Sequence, residues 1–258
     1  DVVDTHLVRF GSSTALREFT AERAAYRNLL EAWPVPLTAT HRNPFREWIG
    51  ALIRADVFGW VTPGRPDEAA GLARTDARLS HTRDGVFGAM WAAALASAAV
   101  VAGDVAEALD AAATAIPPDS GLAAAAAFGR DAARGGGGLD AGLDRLHERY
   151  GHLHWVHVLN NAATIAFALE HGAGDFGRSV AAAVTAGWDT DSVGATVGGV
   201  VGALVGVEGI GAGWTEPLDG RIATSLPGGE RRVDDLVART LALVPVGQVL
   251  GNEGEAGH

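Results

Sequence analysis

No cysteine occurs among the 258 residues, which excludes a disulfide scaffold, a thiolate zinc site and a cysteine nucleophile. Lysine is missing too, since all 20 basic residues are arginine. A Schiff-base lysine, a pyridoxal-phosphate anchor and a Walker-type phosphate loop all need that side chain, so each is ruled out. Cations are outnumbered, 20 against 31 acids, for a formal charge of -11. Recognition of nucleic acid needs clustered cations to neutralise phosphate, so no nucleic-acid partner is expected. Long apolar runs are absent as well. The longest, Val193 to Val207, lies between Asp191 and Glu208 and falls short of the roughly 20 residues of a spanning helix. It predicts a buried core helix, and no membrane partner is expected. The start, Asp1 to Ser13, carries charge early and lacks a cationic region followed by an apolar one. The simplest location is cytoplasmic.

What remains is an Ala- and Gly-rich chain, 48% hydrophobic, long enough to bury one substantial core. Period-2 alternation is missing, while helix signals recur. Pro66-Asp67-Glu68 opens a helix towards His81, with proline in the first turn and acids at the positive end. Asp84 precedes Val86 to Ala102, too apolar for a surface helix. Asp104 and Glu107 have capping-box spacing, and that helix stops at Pro117-Pro118. Further helices are predicted over 120–134, towards Tyr150 after the Gly135–Gly138 run, and over 160–169, 175–186, 192–206 and 234–243. The fold class is all-α, with a single domain over 1–250 and a frayed tail over 251–258. The Gly135–Gly138 run follows a helix rather than a strand and reads as a connector, not a phosphate cradle.

The sharpest chemical signal is Gly187-Trp188-Asp189-Thr190-Asp191-Ser192. Two carboxylates at i and i+2 with a hydroxyl alongside aim three hard oxygens at one point when they occupy a turn. Such a set suits Mg²⁺, Mn²⁺ or Ca²⁺ rather than soft metals. The bland alternative is that both acids cap the helix that follows. Gly194, Gly198, Gly202 and Gly206 then recur every four residues, a stripe that predicts close backbone approach at the centre of the bundle. His147, His152, His154 and His157 cluster around Trp155, but their spacing puts no three on one helical face, so a zinc site is not expected. His157 or Asn161 can still line a cleft, and Arg42 in the loop before Pro44 can meet a phosphate.

The Trp188–Ser192 block, with Ala195-Thr196-Val197-Gly198-Gly199-Val200-Val201-Gly202-Ala203 after it, resembles the carboxy-terminal signature of the ADP-ribosylglycohydrolase family, Gly-Gly-Asp-Thr-Asp-Thr/Ser before a small-residue helix. Trp188 stands in place of the second glycine. Upstream, Trp48 to Arg54 is similar to the family's Gly-Ala-Met-Arg region, and Leu79-Ser80-His81 with Gly85 to Ala89 is similar to its Thr-His and Gly-Ala segments. The resemblance implies an all-α fold with a buried small-residue central helix. It also implies hydrolysis of an N- or O-glycosidic bond at the anomeric carbon of ADP-ribose on a modified protein or small molecule, with two Mg²⁺ ions in the complete site and Mn²⁺ as a substitute. Carried over residue by residue, Asp189, Asp191 and Ser192 are metal ligands. On the same resemblance Gly50, Ala51, His81 and Gly85 contact the substrate, and Trp188, His157 and Asn161 are candidate substrate-binding residues on their position beside the turn.

Two family blocks do not match. Neither Gly-Asp-Ala-Leu-Gly nor Thr-Asp-Asp, which supplies the remaining metal ligands, occurs in the chain, and Asp1-Val2-Val3-Asp4-Thr5 is a poor echo of the second. The expectation is a chain that begins after that block, with an amino-terminal segment or a companion polypeptide as its partner. Two other functions compete: an N-glycoside hydrolase for a nucleoside-like or secondary metabolite, and a non-catalytic ADP-ribose-binding member that has lost half its metal ligands.

Overall fold

The computed structural model describes residues 20–224 and 229–244. The Asp1–Thr5 stretch and the tail over 251–258 lie outside the described residues. In chain order the elements are α1 (Thr20–Leu30), α2 (Leu37–Thr40), a 3-10 turn (Ile49–Arg54), α3 (Asp56–Trp60), α4 (Pro66–Ala77), α5 (Asp84–Ala99), α6 (Val105–Thr114), α7 (Gly121–Arg134), α8 (Gly138–Tyr150), α9 (Val158–Gly172), α10 (Phe176–Thr185), α11 (Thr190–Gly209), α12 (Ala212–Thr215), a second 3-10 turn (Glu216–Leu218), and α13 (Val233–Leu241). Two-residue strands β1 (Arg221–Ile222) and β2 (Arg231–Arg232) pair antiparallel between α12 and α13. The fold is all-α.

Local chemistry sets the helix ends. Asp104 accepts from the Glu107 N–H (2.9 Å), while the Glu107 carboxylate reaches back to the Gly103 N–H (2.7 Å), a capping box displaced by one residue. Ser120 and Asp175 cap α7 and α10 in the same way. The glycine run after α7 is a connector as expected, and Arg145 ties it down by donating to Ala132 O and Gly135 O.

At the centre lie α5 and α9, buried on nearly every side. Alanine lets neighbours press close. Gly59 of α3 sits against the α5 backbone, where a Cβ would be 2.5 Å from Ala93 O, and Gly129 of α7 lies directly over Ala163 O of α9. The buried small-residue helix of this fold is therefore α5. The glycine stripe of α11 is not at the centre. That helix buries Val193, Thr196, Val197, Val200 and Val201, and Cβ atoms at Gly194, Gly198 and Gly202 would meet only side chains, at 3.4 to 3.7 Å. The valine face, not the glycine face, seeks the core, because β-branched groups bury more apolar area than glycine. At 20 residues α11 is also longer than the apolar run suggested, and it is long and apolar enough to cross a bilayer. Gly206, at φ 67° and ψ 175°, breaks it near its end.

Helix α1, which carries no clear sequence signal, is held by two buried asparagines. Asn28 donates to Thr38 O and His41 O (2.8 and 2.7 Å), and Asn43 donates to Ala21 O and Ser80 O.

Candidate functional site

The turn from α10 into α11 uses two consecutive residues in the left-handed region, Gly187 at φ 79° and Trp188 at φ 58°. Glycine adopts this backbone freely, whereas a bulky side chain is strained there. The Trp188 ring is held by stacking on His147, centroids 4.2 Å apart, and the His147 ring in turn bonds Ala186 O at 2.7 Å. The turn throws Asp189, Thr190, Asp191 and Ser192 onto the start of α11.

Asp189 occupies the N-cap position, yet its side chain makes no capping hydrogen bond. The carboxylate is instead buried, with the residue 7% exposed, beside Ser192 and Asp191. Burial, which disfavours the charged form, raises its pKa to about 6. The Ser192 hydroxyl opposes that rise, and the neighbouring Asp191 adds to it. The backbone of the turn is fixed from α9: Asn161 Oδ1 accepts from the Asp189 N–H at 3.4 Å, while its Nδ2 donates to Trp155 O and His157 O. Asp189, Asp191, Ser192, Trp188 and Asn161 therefore come together.

His157 is one step removed. Its Nδ1 accepts from the Leu159 N–H (3.2 Å) as the cap of α9, and burial lowers its pKa. A bridge from Trp48 to His157 fastens the loop before the first 3-10 turn to the same corner. His154 stacks on Trp48, and no group of three His, Cys, Asp or Glu able to hold a metal exists among the described residues.

Gly50, Ala51, His81 and Gly85 belong to a second cluster, built on Arg54. Its guanidinium joins Glu22 (2.5 Å) and Asp76 (2.7 Å) and donates to Ser80 Oγ and Gly50 O. The Glu22 carboxylate fills the space over Gly50, and Ala51 is buried. His81 is enclosed, with Nδ1 on Ser80 Oγ (2.8 Å) and Nε2 lacking a hydrogen-bond partner. Burial pushes its pKa down to about 4. Gly85 lets Arg46 O lie against α5. Glu22 and Asp76 are missed by sequence reasoning, because an ion pair between distant helices leaves no local pattern. Asp56 is missed too: it faces Gly199 of α11, its Oδ1 has no partner, and burial pushes its carboxyl up to about 7.

Two carboxylates and a hydroxyl at one turn form a hard-oxygen set suited to a divalent cation. They cover about half of the six to eight oxygens that Ca²⁺ takes or the octahedron that Mg²⁺ takes. No curated protein and no solved structure matches the chain. A family model described as ADP-ribosylglycohydrolase matches residues 3–248. With nearly its whole length matched, the chain belongs to the ADP-ribosylglycohydrolase family, whose members are glycosidic-bond hydrolases of all-α fold.

Proposed function

We propose that the Asp189–Ser192 turn is the metal-binding half of a Mg²⁺- or Mn²⁺-dependent site that cleaves the N- or O-glycosidic bond at the anomeric carbon of ADP-ribose. The observation that carries this is the Asp189 side chain. Asp104 and Asp175 spend their carboxylates on capping, whereas Asp189 holds its own buried beside Asp191 and Ser192. Two carboxylates that press on each other's ionisation favour a cation between them. Bound there, a divalent ion supplies Lewis-acid polarisation and a template for the ribose hydroxyls. Ser192 orients the Asp189 carboxylate, Asn161 fixes the turn, and the Trp188–His147 stack walls the site beside it. A non-catalytic ADP-ribose-binding role is the second reading, favoured by the lack of a third acidic or imidazole ligand among the described residues. Thermal melts separate the two from the nucleoside-type rival. ADP-ribose should raise the melting temperature further with Mg²⁺ present than with a chelator, through binding to the folded state, and Asp189→Ala should erase that increment. A shift given by another ribosylated compound but not by millimolar ADP-ribose overturns the assignment of substrate. Metal-dependent ADP-ribose release then decides between hydrolase and binder.

A further inference from the structure

A cavity of about 320 Å³ opens between α2, α4 and α5, lined by Pro36, Arg74, Arg78, His81, Thr82, Arg83, Val86 and Phe87. It shares no residue with the Asp189 turn. Three arginines and no carboxylate line it, in a chain whose formal charge is -11. Other arginines are paired: Arg54 with Glu22 and Asp76, Arg130 with Asp110 and Glu170, Arg134 with Glu170. The Arg74, Arg78 and Arg83 guanidiniums make no ion pair or hydrogen bond within the described residues.

The carboxy-terminal end of α4 accounts for a cation at Arg74 and Arg78, because the helix dipole is negative there, although two like charges four apart still repel. Arg83 has no such excuse. It is the N-cap residue of the 16-residue α5, where a cation is disfavoured, and it sits at φ 48°, in the left-handed region. Pro36, Val86 and Phe87 supply an apolar side for a ring.

We infer that this pocket binds a phosphorylated small molecule of the nucleotide type, with the phosphate on Arg74, Arg78 and Arg83 at the amino end of α5 and the ring against Phe87 and Pro36. Guanidinium forks are matched to a phosphate dianion, and the volume suits a small ligand. The inference does not rest on the metal site.

The test is calorimetry on the full chain in the presence of a chelator, with AMP, inorganic phosphate, adenosine and ADP-ribose as probes. AMP should bind one to one, phosphate more weakly and adenosine at least tenfold more weakly than AMP. The exposed pair Arg74→Gln and Arg78→Gln should together weaken AMP at least tenfold, while the melting temperature of the ligand-free protein stays put. Asp189→Asn should bind AMP as the parent does. No binding of AMP or phosphate at 10 mM (a ceiling roughly tenfold above the millimolar limit of useful affinity) overturns the inference. So does AMP binding indifferent to the double substitution, or adenosine binding as tight as AMP. ADP-ribose binding without AMP or phosphate binding also overturns it, and leaves the proposed function standing.

Discussion

Asp189 and Asp56 are both carboxyls held above their ordinary pKa by burial, but only Asp189 has acidic and hydroxyl neighbours. Replacing Asp189 or Asp191 with Ala should weaken Mn²⁺ binding by about tenfold or more, because one carboxylate leaves a hard-oxygen set. Isothermal calorimetry checks this, and unchanged affinity in both variants removes the metal assignment. Because Asp189 titrates near pH 6, protons compete with the cation below that value, and Mn²⁺ affinity should fall as pH drops from 7 to 5. Asp56 makes a different prediction. Its folded pKa of about 7 lies above the ordinary 3.8, so between those values the folded state binds more protons than the unfolded one. This group therefore lowers stability as pH rises across that window. Asp56→Asn removes the ionisation, and its advantage should grow from pH 4 to pH 7 and then level off, reaching on the order of 1–2 kcal/mol after allowance for solvent relaxation. Thermal melts of both proteins across pH 4–8 read it directly, and a pH-independent difference contradicts it.

Among the elements, α7 and α11 both carry interior glycines and differ in how these pack. Gly129 lies on the backbone of α9 at Ala163 O, so a Cβ cannot be accommodated without separating the helices. Gly129→Ala should cost about 2–3 kcal/mol, as overpacking of a rigid contact does. Gly198 has only the Phe176 and Val180 side chains nearby, at 3.7 Å. Gly198→Ala should be neutral or stabilise by up to about 1 kcal/mol through helix propensity. Denaturant melts distinguish the two, and a large loss at Gly198 would restore the tight-stripe reading of α11. The helices themselves were legible wherever a cap or breaker marked them, as at Asp104, Ser120, Asp175 and Gly135. Their placement was not, because a Gly-x-x-x-Gly stripe states that approach is permitted, and only the competing burial of Val193, Val197 and Val200 decides which face goes in. The Asp189 turn was legible as a cluster because its donors are contiguous. Gly50 and His81 were grouped with it by resemblance, whereas the structure centres them on Arg54, whose partners Glu22 and Asp76 come from α1 and α4.

Across the whole molecule, the described residues bring two carboxylates and one hydroxyl to the α11 start and no third acid or imidazole. A divalent cation held there takes most of its coordination from water, so Mg²⁺ affinity should be modest, in the millimolar range of about 4 kcal/mol. A loosely held ion positions the ribose poorly, and misplacement by about 1 Å costs a factor on the order of 100 in rate. With those three ligands alone the site should release little or no ADP-ribose from a modified substrate, even at saturating Mg²⁺. Any further carboxylate brought into that shell should raise the rate steeply and tighten Mg²⁺ binding together with it, since both follow from completing one coordination shell. The family match begins at residue 3 and so includes Asp4, outside the described residues. Full turnover by the bare chain, lost in Asp4→Ala and retained in Asp56→Asn, would show that the amino-terminal acid completes the shell and that the expectation of an external partner is wrong. Turnover that survives Asp4→Ala, Asp189→Ala and chelation would instead remove the cation from the reaction altogether.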